Sequence, residues 1–168
     1  MKNSTLCYIE KDGCYLMLHR VKKENDINRD KWIGIGGHFE EGESPEECIV
    51  REMREETGLA PTGYGGDGLS YRGIVTFVTD SCEGEYMHLF TCRSFSGELI
   101  DCDEGVLEWI GKEGLLGLDI WEGDKIFLRL IDDENYPFFS LKLTYAGSTL
   151  TEAVLNGKVL TAYSERKQ

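Results

Sequence analysis

No stretch of this 168-residue chain is apolar for the roughly 20 residues that a bilayer crossing needs, so no membrane span is expected. The opening MKNSTLCYIEKDG has neither the charged and apolar segments nor the cleavage site of an export signal, and a cytoplasmic location is the resulting expectation. Cations are scarce. Lys and Arg number 18 against 31 Asp and Glu, a formal charge of −13, which argues against the basic surface that binds long DNA or RNA. The six cysteines (Cys7, Cys14, Cys48, Cys82, Cys92, Cys102) form no C-x-x-C pair and no Cys/His zinc spacing, so they are expected to be reduced and mostly buried. Repeats, low-complexity tracts and linkers are missing too. Residues 1–168 are therefore expected to form one domain, with a frayed tail over 164–168.

What the chain does have is concentrated between residues 37 and 59, GHFEEGESPEECIVREMREETGL. Ser44 can cap a helix, Pro45 suits its first position, and Glu47 falls where a capping box wants its acid. Gly58 supplies the left-handed residue that ends one, so a helix is predicted from Ser44 to Thr57. On it, Glu52, Glu55 and Glu56 stand at i, i+3 and i+4 and share a sector roughly 100° wide beside the apolar Ile49, Val50 and Met53. Like charges at this spacing repel by several tenths of a kcal/mol, a penalty that a hard divalent cation removes. Oxygen-only ligation suits Mg²⁺, and Mn²⁺ accepts the same ligands.

Taken alone, the acidic run also fits a solvated helix held by the pairs Glu47 with Arg51 and Arg51 with Glu55. A glycine loop, a cap and a glycine stop at fixed spacing point to chemistry instead. Gly34-Ile35-Gly36-Gly37 can bring backbone close to a ligand, or can simply turn the chain. The cations His19, Arg20, Lys22, Lys23, Arg29 and Lys31 read either as a local site for a small anionic substrate or as an ordinary charged loop.

Elsewhere the pattern predicts a hairpin of Leu6–Ile9 and Tyr15–Leu18 through Lys11-Asp12-Gly13, then a polar loop over 19–31. Gly63–Gly68 reads as a loop, Gly73–Thr79 and Tyr86–Arg93 as paired strands, and Glu98–Ile100 as an extension of that pair. A short strand is expected at Val106–Ile110, then a turn and a short helix, and an amphipathic helix at Gly123–Asp132. Phe138–Tyr145 and Thr149–Leu155 alternate as strands do. Strands interleaved with two longer helices suit an α/β fold, a mixed sheet covered on two sides.

Nine residues, Gly37, Glu43, Arg51, Glu52, Met53, Glu55, Glu56, Gly58 and Leu59, match G-x5-E-x7-R-E-U-x-E-E-x-G-U, where U is bulky and apolar. On this match the chain resembles the Nudix hydrolases, which cleave nucleoside diphosphates linked to another group. The resemblance implies an α/β/α sandwich with a mixed central sheet. It also implies a Mg²⁺ ion, replaceable by Mn²⁺, held by Glu52, Glu55, Glu56 and the carbonyl of Gly36. A further carboxylate from a later loop often joins the site; Glu104 is the candidate, unless Asp101–Gly105 is a plain acidic turn. Arg51 would orient a glutamate, Glu43 would brace the loop, and Gly37 and Gly58 would shape the motif. Glu52 is the expected general base, with Glu56 or Glu104 as substitutes. Family members are often dimers, so a homodimer is carried over as an expectation.

Beyond the motif, KWIGIGGHFEEGESPEE, Cys102–Gly105 and Trp121–Asp124 look like the branch that contains MutT-like 8-oxo-dGTP diphosphatases. There, a tryptophan matching Trp121 contacts the base and an aspartate matching Asp124 reads its edge, an aromatic face plus a hydrogen-bonding acid. Arg20 and Lys23 would meet the phosphates. Ile33 and Gly123 stand where animal members carry an asparagine and an aspartate, and His38 replaces a common lysine. Trp32 and Trp121 read equally as core aromatics. The implied activity is pyrophosphohydrolysis of a nucleoside triphosphate, including an oxidised purine such as 8-oxo-dGTP, to monophosphate and pyrophosphate. The alternatives are another nucleoside diphosphate derivative (a dinucleoside polyphosphate, ADP-ribose, a capped RNA end) or a sensor that binds a nucleotide without cleaving it.

Overall fold

Strands β1 (Lys2–Lys11) and β2 (Cys14–His19) form a hairpin across Asp12 and Gly13, whose φ values of 51° and 73° are the positive pair that a two-residue turn of this hand requires. Along both strands side chains alternate between two cores. Cys7, Ile9, Leu16 and Leu18 enter one, and Tyr8, Tyr15 and Met17 the other. The computed structural model describes residues 1–160, so the expected frayed tail lies outside the described residues.

Lys2–Ile9 of β1 pair parallel with β6 (Glu85–Cys92), while Glu10 and Lys11 pair antiparallel with β2. β6 continues into the antiparallel β5 (Leu69–Thr79), and β5 into the parallel β9 (Phe139–Ala146). The antiparallel β10 (Thr149–Leu155) and β11 (Lys158–Val159) complete that edge. On the other side, β2 is flanked by β3 (Trp32–Ile33) and β8 (Val106–Gly111). Helix α1 (Pro45–Thr57) buries Ile49 and Met53 against Cys7, Ile9, Leu16 and Phe90. Across the sheet, α3 (Glu122–Asp132) buries Ile126, Phe127 and Ile131 against Tyr8, Leu89 and Leu141. The result is the expected α/β architecture, a mixed sheet between helices, with the four-residue α2 (Lys112–Leu115) following β8.

One expected strand is displaced. Glu98–Ile100 does not extend the β5–β6 pair; the strand there is β7 (Phe95–Gly97), which pairs with β4 (Leu59–Pro61) in a small separate sheet. Its continuation closes the end of α1 instead, where the Ile100 amide donates to the Thr57 carbonyl at 3.1 Å. Among the described residues no helix is long and apolar enough to cross a membrane.

Candidate active site

The start of α1 is a reciprocal capping box: the Glu47 amide donates to Ser44 Oγ at 3.2 Å and the Ser44 amide to Glu47 Oε2 at 2.8 Å. Pro45 occupies the first turn, and Gly58, at φ 77°, ends the helix with its amide on the Arg54 carbonyl. With Cys48, Ile49 and Met53 buried, the helix is fixed in rotation. Arg51 then bridges helix and loop. Its guanidinium donates to Glu43 twice, at 2.6 and 2.9 Å, to Glu52 at 2.8 Å, to Glu55 at 3.2 Å and to the His38 carbonyl at 3.1 Å. Bonding from Arg51 pulls Glu43 down to about 2, and the surrounding carboxylates raise Arg51 in turn.

The glycine loop lies directly on β1. The amides of Thr5 and Cys7 take the carbonyls of Gly37 and Ile35 at 2.9 and 2.6 Å, one on each side of Gly36. A Cβ at Gly36 would overlap the Thr5 carbonyl oxygen, and one at Gly37 would lie on the Glu52 carboxylate. Only glycine permits this approach of loop, strand and acid. The Gly36 amide also donates to Glu56 Oε2 at 3.2 Å.

Glu56 is only 7% exposed. Burial pushes its pKa up, and the charges of Glu104 and Glu52 push it further, against the Gly36 amide. Burial would also raise Glu104, but its ion pairs with Lys23 and Arg20 outweigh that and hold it low. Glu104 thus carries the charge, and Glu56 the proton that the two carboxyls share through their hydrogen bond. Glu52 is raised as well, by burial first, with Arg51 opposing.

Gly36, Arg51, Glu52, Glu56, Glu104, Arg20 and Lys23 all line one cleft of about 570 Å³. The two cations expected to face phosphate are engaged within the protein, Lys23 with Glu104 and Arg20 with both Glu104 and Asp26. Glu55 stands apart. Its side chain is 60% exposed and paired with Arg51 at 3.2 Å, at the outer edge of the sector that it shares with Glu52 and Glu56. Among the described residues no three acidic, histidine or cysteine side chains form a ready-made metal cage. The donor set nevertheless fits Mg²⁺, which takes one or two carboxylates and keeps several waters. Crowded, partly protonated acids of this kind are the chemistry that a hard cation relieves.

A smaller pocket of about 90 Å³ adjoins the cleft and is lined by Trp121, Asp124, Phe77 and Tyr145 among others. Trp121 packs edge-on against Tyr145 at 5.2 Å while its Nε1 donates to Asn28 Oδ1 at 2.8 Å, so it serves both core and pocket. Trp32 lines neither cavity and stacks on His19 at 4.3 Å. Asp124 is 7% exposed, and its carboxyl has no hydrogen-bonded side-chain partner among the described residues. Burial pushes it up to about 8, against the charge of Lys31, so near neutral pH it is a hydrogen-bond donor. A side chain at Gly123 would require its neighbours to move. A Cβ would strike Leu143 and the Tyr145 hydroxyl, which accepts the Gly123 amide at 2.8 Å.

Among the residues of the site that the sequence does not announce, two polar ones stand out. Asn28 and Glu85 line both cavities. Asn28 sits in the polar loop over 19–31, where the only signal was an Asp-x-Asn turn, its amide bonding Asp26 Oδ1 at 2.9 Å. Glu85 opens β6 and carried no signal.

The NUDIX domain family matches residues 3–131. The chain is 28% identical to an uncharacterized Nudix hydrolase, YvcI, of Bacillus subtilis (strain 168) over 129 residues, 74% of this chain and 75% of that one. It is 27% identical over 110 residues to the oxidized purine nucleoside triphosphate hydrolase of Mus musculus, 65% of this chain and 67% of that one. In fold it is similar to the crystal structure of a MutT protein from Bacillus halodurans, with a TM-score of 0.79 at 23% identity over 93% of this chain and 98% of that one. The chain therefore belongs to the Nudix family, hydrolases of pyrophosphate bonds that act on small nucleotide substrates and generally use divalent metals such as Mg²⁺.

Proposed function

We propose that this protein is a Mg²⁺-dependent pyrophosphohydrolase of purine nucleoside triphosphates, oxidised purines included. The observation that carries the reading is the joining of an aromatic pocket ending in a buried acid to a cleft of carboxylates. Trp121 offers the ring face for a base, and protonated Asp124 donates to an acceptor on the base edge. Glu52, Glu56 and the Gly36 carbonyl would hold the metal, with Glu104 closing the set. Held there, Mg²⁺ would supply neutralisation of phosphate charge and acidification of the attacking water.

Arg51 fixes Glu52 over the glycine loop, and Glu52 takes a proton from the attacking water. One phosphoric anhydride bond breaks, the water oxygen joins one phosphorus, and the products are nucleoside monophosphate and pyrophosphate. Lys23, half exposed at the cleft mouth, can leave Glu104 for a phosphate at small cost, since such surface pairs contribute roughly 0–1 kcal/mol.

Pyrophosphate release should be measured over ordinary and oxidised purine and pyrimidine triphosphates, with and without Mg²⁺. Turnover should need the metal and favour purines, and Glu52→Gln and Glu56→Gln should each lose at least a hundredfold in kcat with an unchanged circular dichroism spectrum. Hydrolysis of ADP-ribose alone, or saturable nucleotide binding without turnover, would overturn the proposal.

A further inference from the structure

The pocket and the cleft share five lining residues: Leu6, Asn28, Ile33, Glu85 and Met87. If a base occupies one cavity and phosphates the other, the sugar between them crosses this shared segment. Three of the five are apolar, so among the shared side chains those of Asn28 and Glu85 are the ones able to bond sugar hydroxyls. Asn28 accepts from Trp121 on its Oδ1 and has two amide hydrogens that can donate. Glu85 is the charged acceptor. Ser4 Oγ donates to its Oε2 at 2.7 Å and His38 Nε2 lies 3.0 Å from its Oε1, which fixes the carboxylate at the cleft wall. Each oxygen keeps a second lone pair for another donor. A fixed anion here is a poor neighbour for phosphate and a good one for hydroxyls.

Two acceptor oxygens match the vicinal 2′ and 3′ hydroxyls of ribose; deoxyribose supplies one donor and leaves the other site empty. We infer that Glu85 reads the sugar and that the site prefers ribonucleoside over deoxyribonucleoside triphosphates. This rests on the function proposed above and narrows its substrate class.

Sugar pairs on the same base (GTP with dGTP, ATP with dATP) test it on the wild type, Glu85→Ala and Glu85→Gln. The wild type should favour ribose in kcat/KM by about tenfold, the worth of one hydrogen bond to a charged group. Glu85→Ala should bring that ratio near one, mainly by raising KM for the ribonucleotide. Glu85→Gln, which keeps the shape and one acceptor oxygen, should fall between. Binding of non-hydrolysable analogues to metal-free protein, followed by tryptophan emission, should give the same order. A wild type indifferent to the sugar or preferring deoxyribose, or a preference that survives in Glu85→Ala, would overturn the inference. If no triphosphate is turned over, the proposed function falls, and the binding ratio still decides the role of Glu85.

Discussion

At the scale of single residues, Asp124 shows burial winning over every force that would ionise it. It lies in the first turn of α3, where the helix dipole favours an anion by about 0.3–1 kcal/mol, and Lys31 adds its attraction. Desolvation still lifts the carboxyl from 3.8 to about 8. Because the folded pKa is raised, the folded state binds the proton more tightly than the unfolded chain. Its contribution is therefore neutral below about pH 4, turns increasingly unfavourable as pH rises towards 8, and levels off above it. Asp124→Asn, which cannot ionise, should match the wild type at pH 4 and exceed it by a few kcal/mol at pH 9 in denaturant melts, each pKa unit being worth about 1.4 kcal/mol. Purine binding by the wild type should weaken above pH 8, while the variant's stays flat. A constant stability gap across this range would mean that Asp124 is charged in the folded protein.

At the scale of elements, the capping box sets where α1 begins, and its register sets which acids face the cleft. Ser44→Ala should cost about 1 kcal/mol in thermal or urea unfolding, and Ser44→Asp should recover most of it. Equal stability of all three would show that the loop holds the helix without its cap. α1 and the Asp12-Gly13 hairpin were legible because their signals are local, fixed by residues within a turn of one another. β3 and β11, at two residues each, are too short for any periodicity to register. The strand expected at Glu98–Ile100 forms instead at Phe95–Gly97, because what decides its pairing is β4, more than thirty residues earlier in the chain. The site divides the same way. Helical spacing brought Glu52 and Glu56 together, but a sector argument could not tell that Arg51 would draw Glu55 outward. Asn28 and Glu85 owe their place to the meeting of a loop and a strand end that only tertiary structure creates.

At the scale of the whole molecule, the net charge of −13 makes two kinds of repulsion worth separating. Diffuse repulsion among surface acids is screened by simple salt, since the Debye length is about 10 Å at 0.1 M. The half-buried acids of the cleft are screened far less. Raising NaCl should stabilise the wild type and Glu56→Gln alike. Adding Mg²⁺ at constant high NaCl should stabilise the wild type further, by about 2.7 kcal/mol at a hundredfold excess over its Kd, and the variant much less. A Mg²⁺ effect that vanishes in high NaCl would assign it to the surface rather than to the cleft.

The partnership of β1 carries a consequence for how the chain is made. Lys2 lies opposite Glu85, and the neighbouring parallel pair sets Gly73 opposite Phe139. During synthesis β1 has its hairpin partner β2 at once but leaves the ribosome long before its parallel partner β6, so Cys7, Tyr8 and Ile9 lack most of the surfaces that bury them. Closing such distant pairings costs loop entropy before any contact repays it. The β1–β6 pair can therefore close once translation has passed Cys92, whereas β5 gains its outer neighbour only after Phe139 and the residues of β9 have emerged.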